Sequence, residues 1–241
     1  MSDKNAYYQH QTRARGLLCE ADVKRLVDLM TPVYEQTILN WLPSQKNAAI
    51  YEAACGPGIM LRFLKMHGYT QIAGSDLSEG QIEFARMTGA AVKLADSVVE
   101  LKGQPADQWD CVIAIDFMEH LDKPVLMEFY GECFRTLKPG GVLILRGPNG
   151  DSPLVGRNLY NDITHVWAYT SVATRALLGV AGFGRIEFAD ESIASIQKAR
   201  WLKVPLARLS QVLLRGVVRA ATRENIEYWG PSLFIAARKP A

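Results

Sequence analysis

From residue 48 onward, short apolar runs alternate along the chain with segments whose apolar residues recur at helical spacing. Several of these runs are apolar at nearly every position, as strands are when helices cover both faces of a parallel sheet. Strands that alternate with helices predict a doubly wound α/β sheet, which binds its ligand at the carboxyl ends of the strands. The predicted strands are residues 48–55, 71–77, 92–96, 109–116, 141–149, 185–190 and 232–238.

The segments around these strands carry helix signals. Ser78 stands three residues before Gln81, which is the spacing of a capping box at a helix start. Before the first strand, apolar residues recur at three- and four-residue steps, which predicts one helix or two helices broken at Pro32. We expect one domain with four parts: an N-terminal helical cap (1–47), a core (48–192), a basic helical insertion (193–231) and the last strand (232–241).

The bulk composition narrows the class of protein. The net charge of +2 gives no sign of a nucleic-acid partner, and no apolar run approaches the ~18 residues of a membrane span. The polar start of the chain lacks a secretory signal pattern. The four cysteines are widely spaced, and most lie in apolar runs, so they read as reduced core residues. We therefore expect a cytoplasmic protein.

A glycine-rich turn follows the first predicted strand, in the sequence from Glu52 to Gly58, EAACGPG. Glycines here let the backbone approach a ligand, with the N–H groups of the next helix pointing at it; a plain tight turn would use the same residues. A dinucleotide fingerprint needs a third glycine where Leu61 stands, and the lysine of a phosphate-binding loop is absent. The turn therefore does not indicate a dehydrogenase or a P-loop enzyme.

Three acids lie at the ends of three successive predicted strands. Glu52 stands inside an apolar strand, where a carboxylate is unfavourable without a partner and would repel a pyrophosphate. Asp76 is placed to accept from the hydroxyls of a ribose, and Asp96 from an adenine amino group. Because no basic residue accompanies them, the acids favour an adenosine that carries positive charge and no phosphate. S-adenosylmethionine is such a ligand.

These motifs give the stretch from about residue 50 to 149 a resemblance to the class I S-adenosylmethionine-dependent methyltransferases. It looks most like quinone-precursor O-methyltransferases and methyltransferases of glycan and secondary-metabolite pathways. Ala54 departs from the family's Gly-x-Gly-x-Gly turn, and costs about 1 kcal/mol there if its φ is positive. The resemblance implies a Rossmann-like sheet of seven mostly parallel strands with an antiparallel last strand. It implies cofactor contacts from Glu52, Ala54, Cys55, Gly56, Gly58, Asp76, Leu77, Asp96, Ser97 and Asp116.

The same resemblance implies a methyltransferase that acts on a hydroxyl of a small-molecule, glycan or lipid-linked acceptor. Two alternatives stay open. Transfer to nitrogen or carbon needs no strong base and leaves no distinct residue signature. A non-catalytic adaptor that binds S-adenosylmethionine without turnover has Ala54 as its one support.

Two segments carry candidate catalytic residues. Some of the O-methyltransferases that this chain resembles carry a metal at an acid-x-x-Glu-His run. That makes Asp116, Glu119 and His120 candidate ligands for a divalent cation such as magnesium, and His120 a candidate catalytic residue. In the alternative, Glu119 and His120 have only a structural role and stabilise the turn beneath the cofactor.

The second segment is the loop of residues 161–167. His165, with Asp162 to orient it and Trp167 as a stacking wall, is a candidate general base for an oxygen acceptor. In the alternative, His165 merely hydrogen-bonds the backbone and holds the loop.

A basic segment, residues 198–223, lies within the predicted insertion. It contains no acid, and its leucines recur at helical spacing. Three roles are open: a lid over the acceptor, a homodimer surface, or a peripheral contact with anionic lipid. The basic residues are Lys198, Arg200, Lys203, Arg208, Arg215, Arg219 and Arg223.

Overall fold

The computed structural model describes residues 19–191, 200–223 and 225–241, and only the backbone of residues 200–203. Two of the sequence predictions fall partly outside the described residues: the first part of the N-terminal cap, and the start of the basic insertion with Lys198. No helix in the described part of the chain is long and apolar enough to cross a lipid bilayer.

The strands and helices alternate as predicted. The strands are β1 (Ala49–Ala53), β2 (Gln71–Asp76), β3 (Ala91–Leu94), β4 (Trp109–Ile115), β5 (Leu137–Pro148), β6 (Ile186–Asp190) and β7 (Ser232–Arg238). The helices are α1 (Glu20–Thr37), α2 (Ile59–Met66), α3 (Glu79–Arg86), α4 (Ser97–Lys102), α5 (Lys123–Thr136), α6 (Val155–Tyr160), α7 (Ser171–Val180) and α8 (Arg200–Thr222). Short 3₁₀ turns span Leu39–Trp41 and Met118–His120.

The strands form one seven-stranded sheet in the order β3-β2-β1-β4-β5-β7-β6. The pairs from β3 to β5 are parallel, and β7 runs antiparallel to both β5 and β6. The seven predicted strands and the antiparallel last strand are confirmed. All parallel strands therefore end at one edge of the sheet, which we call the carboxyl edge, and β7 begins there.

Side chains that alternate along the central strands fill two cores, one on each face of the sheet. Ile50 and Ile113 point into the core that α1 and α2 cover, whereas Tyr51 and Val112 point into the core on the side of α5. This period of two is the consequence of strand geometry. Burial on both faces explains the nearly continuous apolar runs in the sequence.

Some local predictions were wrong. The capping box does not form, because the Ser78 side chain makes no capping hydrogen bond; its backbone N–H instead donates to Asp76 Oδ1 at 2.7 Å. Of the two alternatives left open at Pro32, the structure shows the first: α1 is a single helix that continues through the proline, with buried residues on both sides of it. β5 begins at Leu137, four residues before the predicted start, and the predicted loop after β5 contains the short helix α6.

Candidate active site

The turn between β1 and α2 is built from backbone conformations that favour glycine. Gly56 has φ +51° and Gly58 has φ +81°. A Cβ on Gly56 would lie 2.9 Å from Gln81 Oε1, and one on Gly58 would lie 3.0 Å from the Ala85 Cα. The turn therefore brings its backbone close to α3 and opens α2 at the carboxyl edge. Backbone N–H groups at this helix start are suited to face a ligand.

Ala54 also has a positive φ, of 53°, where the sequence motif has a glycine in the related family. A chain of buried hydroxyls holds it there. The Ala54 N–H donates to Ser97 Oγ at 2.8 Å; Ser97 Oγ is 2.7 Å from Ser75 Oγ, which is 2.6 Å from the Tyr51 hydroxyl. Tyr51 and Ser75 were not predicted as site residues. The signal that points to them is a polar group within an otherwise apolar strand.

We expect Ala54→Gly to stabilise the fold by about 1 kcal/mol, because glycine adopts positive φ without the steric penalty of a Cβ. Chemical denaturation with the midpoint and slope fitted separately measures this change. Gly58→Ala is the matched opposite variant, since it adds a Cβ at a positive φ, and it should destabilise. An unchanged or lowered stability of Ala54→Gly would contradict the idea that Ala54 is strained.

Glu52 lies at the centre of this region, near the end of β1. Only 3% of the residue is exposed, and its Oε2 atom has no hydrogen-bond partner in the protein. Burial, and secondly the nearby Asp76 carboxylate, raise the pKa of Glu52 well above its usual value. A buried carboxyl oxygen without a hydrogen-bond partner costs free energy. A cationic ligand that donates to this atom would remove that cost.

Asp76 ends β2 and is tied to the glycine-rich turn. One of its oxygens accepts from the Gly56 N–H at 2.8 Å, and the other from the Ser78 N–H at 2.7 Å. Burial raises its pKa, while these backbone N–H groups act in the opposite direction. The neighbouring Leu77 is 48% exposed, which leaves an apolar side chain at the rim of the site.

Three further residues that were predicted to contact the cofactor make hydrogen bonds within the protein. Asp96 caps α4, with its Oδ1 accepting from the N–H groups of Val98 (2.9 Å) and Val99 (3.1 Å). The Ser97 hydroxyl is buried in the chain beneath Ala54, and the Cys55 N–H donates to the Ser75 carbonyl at 2.9 Å. Ser97 and Cys55 therefore support the turn through bonds within the protein.

Asp116 follows β4 with φ +52° and forms an ion pair with Arg146 of β5. The Arg146 guanidinium is also 3.1 Å from Glu191 Oε2 and 3.0 Å from Ser232 Oγ. Burial alone would lower the pKa of Arg146, but Asp116 and Glu191 raise it, so the guanidinium stays charged. The predicted metal group of Asp116 with Glu119 and His120 is therefore not the one the structure assembles, because the Asp116 carboxylate binds Arg146.

His165 takes its place. Glu119, His120 and His165 each offer one ligand atom, and these atoms lie within 4.8 Å of one another. Glu119 is 1% exposed and its Oε2 atom has no hydrogen-bond partner. Burial, and secondly Asp116, raise the pKa of Glu119 well above its usual value, whereas Arg146 acts to lower it. We call these three residues the His–Glu cluster.

Hydrogen bonds fix the tautomer of His165. Its Nδ1 lies 3.0 Å from the Asn158 carbonyl and 3.1 Å from the Leu159 carbonyl. Because a carbonyl only accepts, Nδ1 carries a proton. In the neutral ring Nε2 is then the acceptor, and it lies 3.8 Å from Glu119 and 3.9 Å from Asp162.

His120 is fixed in the same way. Thr164 Oγ1 donates to Asp162 Oδ1 at 2.7 Å, so it accepts from the His120 Nδ1 at 2.8 Å. The two imidazole rings meet edge to face, with centroids 4.7 Å apart. The structure thus unites two segments that the sequence presents separately, and leaves Nε2 of each neutral imidazole as an acceptor.

Two aromatic residues complete this part of the carboxyl edge. Trp167, predicted as a stacking wall, is covered by the Lys123 ammonium, 4.4 Å from its ring centroid. Tyr34 of α1, which sequence reasoning assigned only to a helical stripe, is 3% exposed. Burial raises the pKa of its hydroxyl, Arg146 lowers it, and Asp116 and Glu52 raise it. Tyr34 is therefore a buried hydroxyl within the electrostatic reach of Arg146, Asp116 and Glu52.

Comparison with known proteins shows what this chain is similar to. Residues 50–141 match the family model described as a methyltransferase domain. The chain is similar to the S-adenosyl-L-methionine-dependent Diels-Alderase iccD of Talaromyces variabilis, with 26% identity over 66% of the chain and 60% of the relative. It is 29% identical to the ubiquinone/menaquinone biosynthesis C-methyltransferase UbiE of Roseobacter denitrificans, over 47% of the chain and 47% of the relative. It therefore spans less than two thirds of the length of both relatives.

The fold has a close counterpart among solved structures. A SAM-dependent methyltransferase from Archaeoglobus fulgidus superimposes with a TM-score of 0.69 over 88% of this chain and 94% of its own, at 21% sequence identity. The matched residues 50–141 contain the glycine-rich turn, Glu52, Asp76 and the Glu119–His120 pair. The chain thus contains a stretch similar to a methyltransferase domain, and it has the fold of a solved S-adenosylmethionine-dependent methyltransferase.

Proposed function

We propose that this protein binds S-adenosylmethionine and transfers its methyl group to an acceptor hydroxyl. The observation that carries the proposal is a pair of acids, buried Glu52 and partly buried Asp76, beside a turn with no basic residue to hold a phosphate. Glu52 Oε2 has no partner in the protein, which suits the ammonium group of the methionine moiety. Asp76 is at the adjacent strand end, where it suits the ribose hydroxyls.

The remaining contacts of the cofactor follow the strand ends. We assign Asp96 to the adenine amino group and Leu77 to the apolar face of the base, since Leu77 is exposed beside Asp76. Gly56 and Gly58 supply a close backbone, and Asp116 borders the acceptor side. When bound, S-adenosylmethionine would supply a methyl group attached to a sulfonium, and the rest of the cofactor would leave as a neutral thioether. The protein has mainly to orient the reactants and exclude water.

The proton of the acceptor hydroxyl passes to a base in this proposal. As the acceptor oxygen bonds to the methyl carbon and the carbon–sulfur bond breaks, the hydroxyl proton moves to His165 Nε2. Asp162, 3.9 Å from Nε2, stabilises the imidazolium that forms, and the imidazolium in turn favours the ionised form of Glu119, at 3.8 Å. His120 is the second candidate, oriented by Thr164 and Asp162. We expect a small-molecule acceptor, and glycan or lipid-linked hydroxyls are members of the same chemical class.

The His–Glu cluster also fits a divalent cation. Two imidazoles and one carboxylate suit zinc, iron or manganese better than magnesium, which prefers oxygen ligands. The Nδ1–H of each histidine has a partner in the protein, as in metal sites where the other ring nitrogen is the ligand. Glu119, His120 and His165 would hold the ion, and it would lower the pKa of a bound acceptor hydroxyl.

Isothermal titration with S-adenosylmethionine tests the cofactor part of the proposal. We expect binding that weakens as pH falls, because Glu52 and Asp76 have raised pKa values and a cationic ligand requires their ionised forms. Below those pKa values, each binding event must first release a proton from the carboxyl group. No heat at millimolar ligand, or tight binding of a dinucleotide in its place, would contradict the proposal.

Release of S-adenosylhomocysteine separates methyl transfer from a second candidate, a cyclase that binds the cofactor without consuming it. The Diels-Alderase among the relatives favours that candidate. Stoichiometric S-adenosylhomocysteine with a methylated oxygen would support the proposal, whereas a product methylated on carbon or nitrogen would correct its acceptor class. Cofactor binding without any S-adenosylhomocysteine, across hydroxyl acceptors, would favour a cyclase or an adaptor.

A further inference from the structure

The proposed activity leaves α8 without a role. Its partly buried residues recur on one side of the helix, at Val204, Ala207, Gln211 and Val218. On that side Arg215 donates to the Glu227 carbonyl at 3.2 Å, and its guanidinium lies 5.9 Å from the Trp229 ring centroid. This side therefore faces the rest of the protein.

The opposite side of α8 exposes a continuous apolar stripe. Leucine and valine recur there at steps of three and four residues, which places them on one helix face. Isolated exposed leucines are normal, but a run of this length marks an interaction surface. The exposed apolar residues of α8 are Leu206, Leu209, Val212, Leu213, Leu214 and Val217, each 46–66% exposed.

Arginines border this stripe and no acid accompanies them. Arg208 and Arg219 stand eleven residues, about three helical turns, apart, which places both beside Val212 at one edge of the apolar face; Arg215, between them along the helix, reaches the Glu227 carbonyl instead. Residues 200–223 contain no aspartate or glutamate. A helix with an apolar face, a row of cations and no acid has the pattern of helices that lie in the interface of an anionic bilayer.

The charges argue against two other occupants. In a symmetric pair of α8 helices, each copy would bring its arginines to the same interface without any acid of the helix to oppose them. Residues 1–18 carry three basic residues and one acid, so this segment has no charge complementarity to α8 either. We propose that α8 is an amphipathic docking helix that binds the surface of an anionic lipid bilayer.

The position of α8 gives the docking a consequence. The helix leaves the sheet after β6 and returns before β7, and both points lie at the carboxyl edge. Asp190 joins them, accepting from the N–H groups of Trp229 (2.5 Å) and Gly230 (2.9 Å). Docking through α8 would therefore bring the edge that holds the candidate active site toward the bilayer. The docking itself does not depend on the proposed methyl transfer.

Flotation with vesicles measures the docking directly. We expect the full chain to float with vesicles of phosphatidylcholine and phosphatidylglycerol, and to bind pure phosphatidylcholine at least about tenfold more weakly. High salt should release it. Leu213→Glu should abolish flotation, because it places a charge in the centre of the stripe. Arg219→Glu should weaken binding by about fivefold or more, since it removes and reverses one attractive charge.

Val172→Glu is the matched control, because Val172 is an equally accessible valine on α7, 77% exposed and outside the stripe. It should float like the wild type. Cofactor titration of every variant verifies folding, since none of these positions belongs to the candidate site. If the protein does not float even with the vesicles that contain phosphatidylglycerol, the proposal is overturned. A concentration-dependent dimer that Leu213→Glu dissociates also overturns it, because α8 would then be an interface between copies.

Discussion

Asp76→Ala should weaken S-adenosylmethionine binding by about 10²- to 10⁴-fold, with the free protein still folded. The carboxylate ends β2 beside the glycine-rich turn, where two hydroxyls of a ribose are its expected partners. A hydrogen bond to a charged group contributes about 1.5–3 kcal/mol, so the loss of two gives an effect of this size. Titration calorimetry measures the dissociation constant, and thermal unfolding without ligand measures the damage to the fold.

The control for this variant addresses a second role of Asp76. The side chain also accepts from the N–H groups of Gly56 and Ser78, so alanine disturbs the turn as well. Asp76→Asn keeps one acceptor oxygen and the size of the side chain, and should weaken binding only by about tenfold. If Asp76→Ala is as stable as the wild type and binds the cofactor equally well, the ribose assignment fails and the buried acids need another explanation.

The sheet, the glycine-rich turn and the positions of Glu52 and Asp76 at the strand ends were predictable because they depend on local patterns. Apolar runs define strands that are buried on both faces, and Gly56 and Gly58 stand where the backbone has positive φ. Parallel strands then bring Glu52 and Asp76 to one edge without further information. The sequence left the sign of φ at Ala54 open, and the structure gives it as +53°.

The acceptor half was not predictable in the same way. Glu119 and His165 are distant in sequence, and their approach depends on how the loop of residues 161–167 folds back, with the Val166 N–H donating to the Glu119 carbonyl at 2.8 Å. Asp116 was grouped with Glu119 because their run resembles an acid-x-x-Glu-His metal site, yet Arg146, from a neighbouring strand, binds Asp116 instead. Tyr34 reaches the site from α1, which no motif connects to the strand ends.

Two local features did not follow from spacing alone. The Ser78–Gln81 spacing is typical of a capping box, in which the Gln81 side chain accepts from the Ser78 N–H. Here that N–H donates to Asp76, two residues earlier at the end of β2. At Ser78 the competing contact is local, two residues away along the chain. Pro32 left one helix or two open, and α1 continues through it where Val33 and Tyr34 are buried in the core, so there packing decides.

His165→Gln should lower the turnover number by about 10²-fold or more while the affinity for S-adenosylmethionine stays unchanged. Glutamine can still donate to the Asn158 and Leu159 carbonyls that hold the His165 ring, so the loop should persist. It lacks the basic Nε2 atom that faces Glu119. Rates at saturating cofactor, with the pH dependence of both proteins, measure the effect. The rising limb of the wild-type profile should be missing from the variant.

Two comparisons decide whether His165 acts as the base. His120→Gln is the matched variant, because His120 also keeps Nδ1 on a neighbouring group and has Nε2 as its acceptor. A greater loss in His120→Gln, with a normal rate in His165→Gln, would assign the proton to His120. Treatment of the wild type with a chelator separates a base from a metal ligand. If the chelator removes activity and added zinc or manganese restores it, His165 acts through an ion and the direct base assignment is wrong.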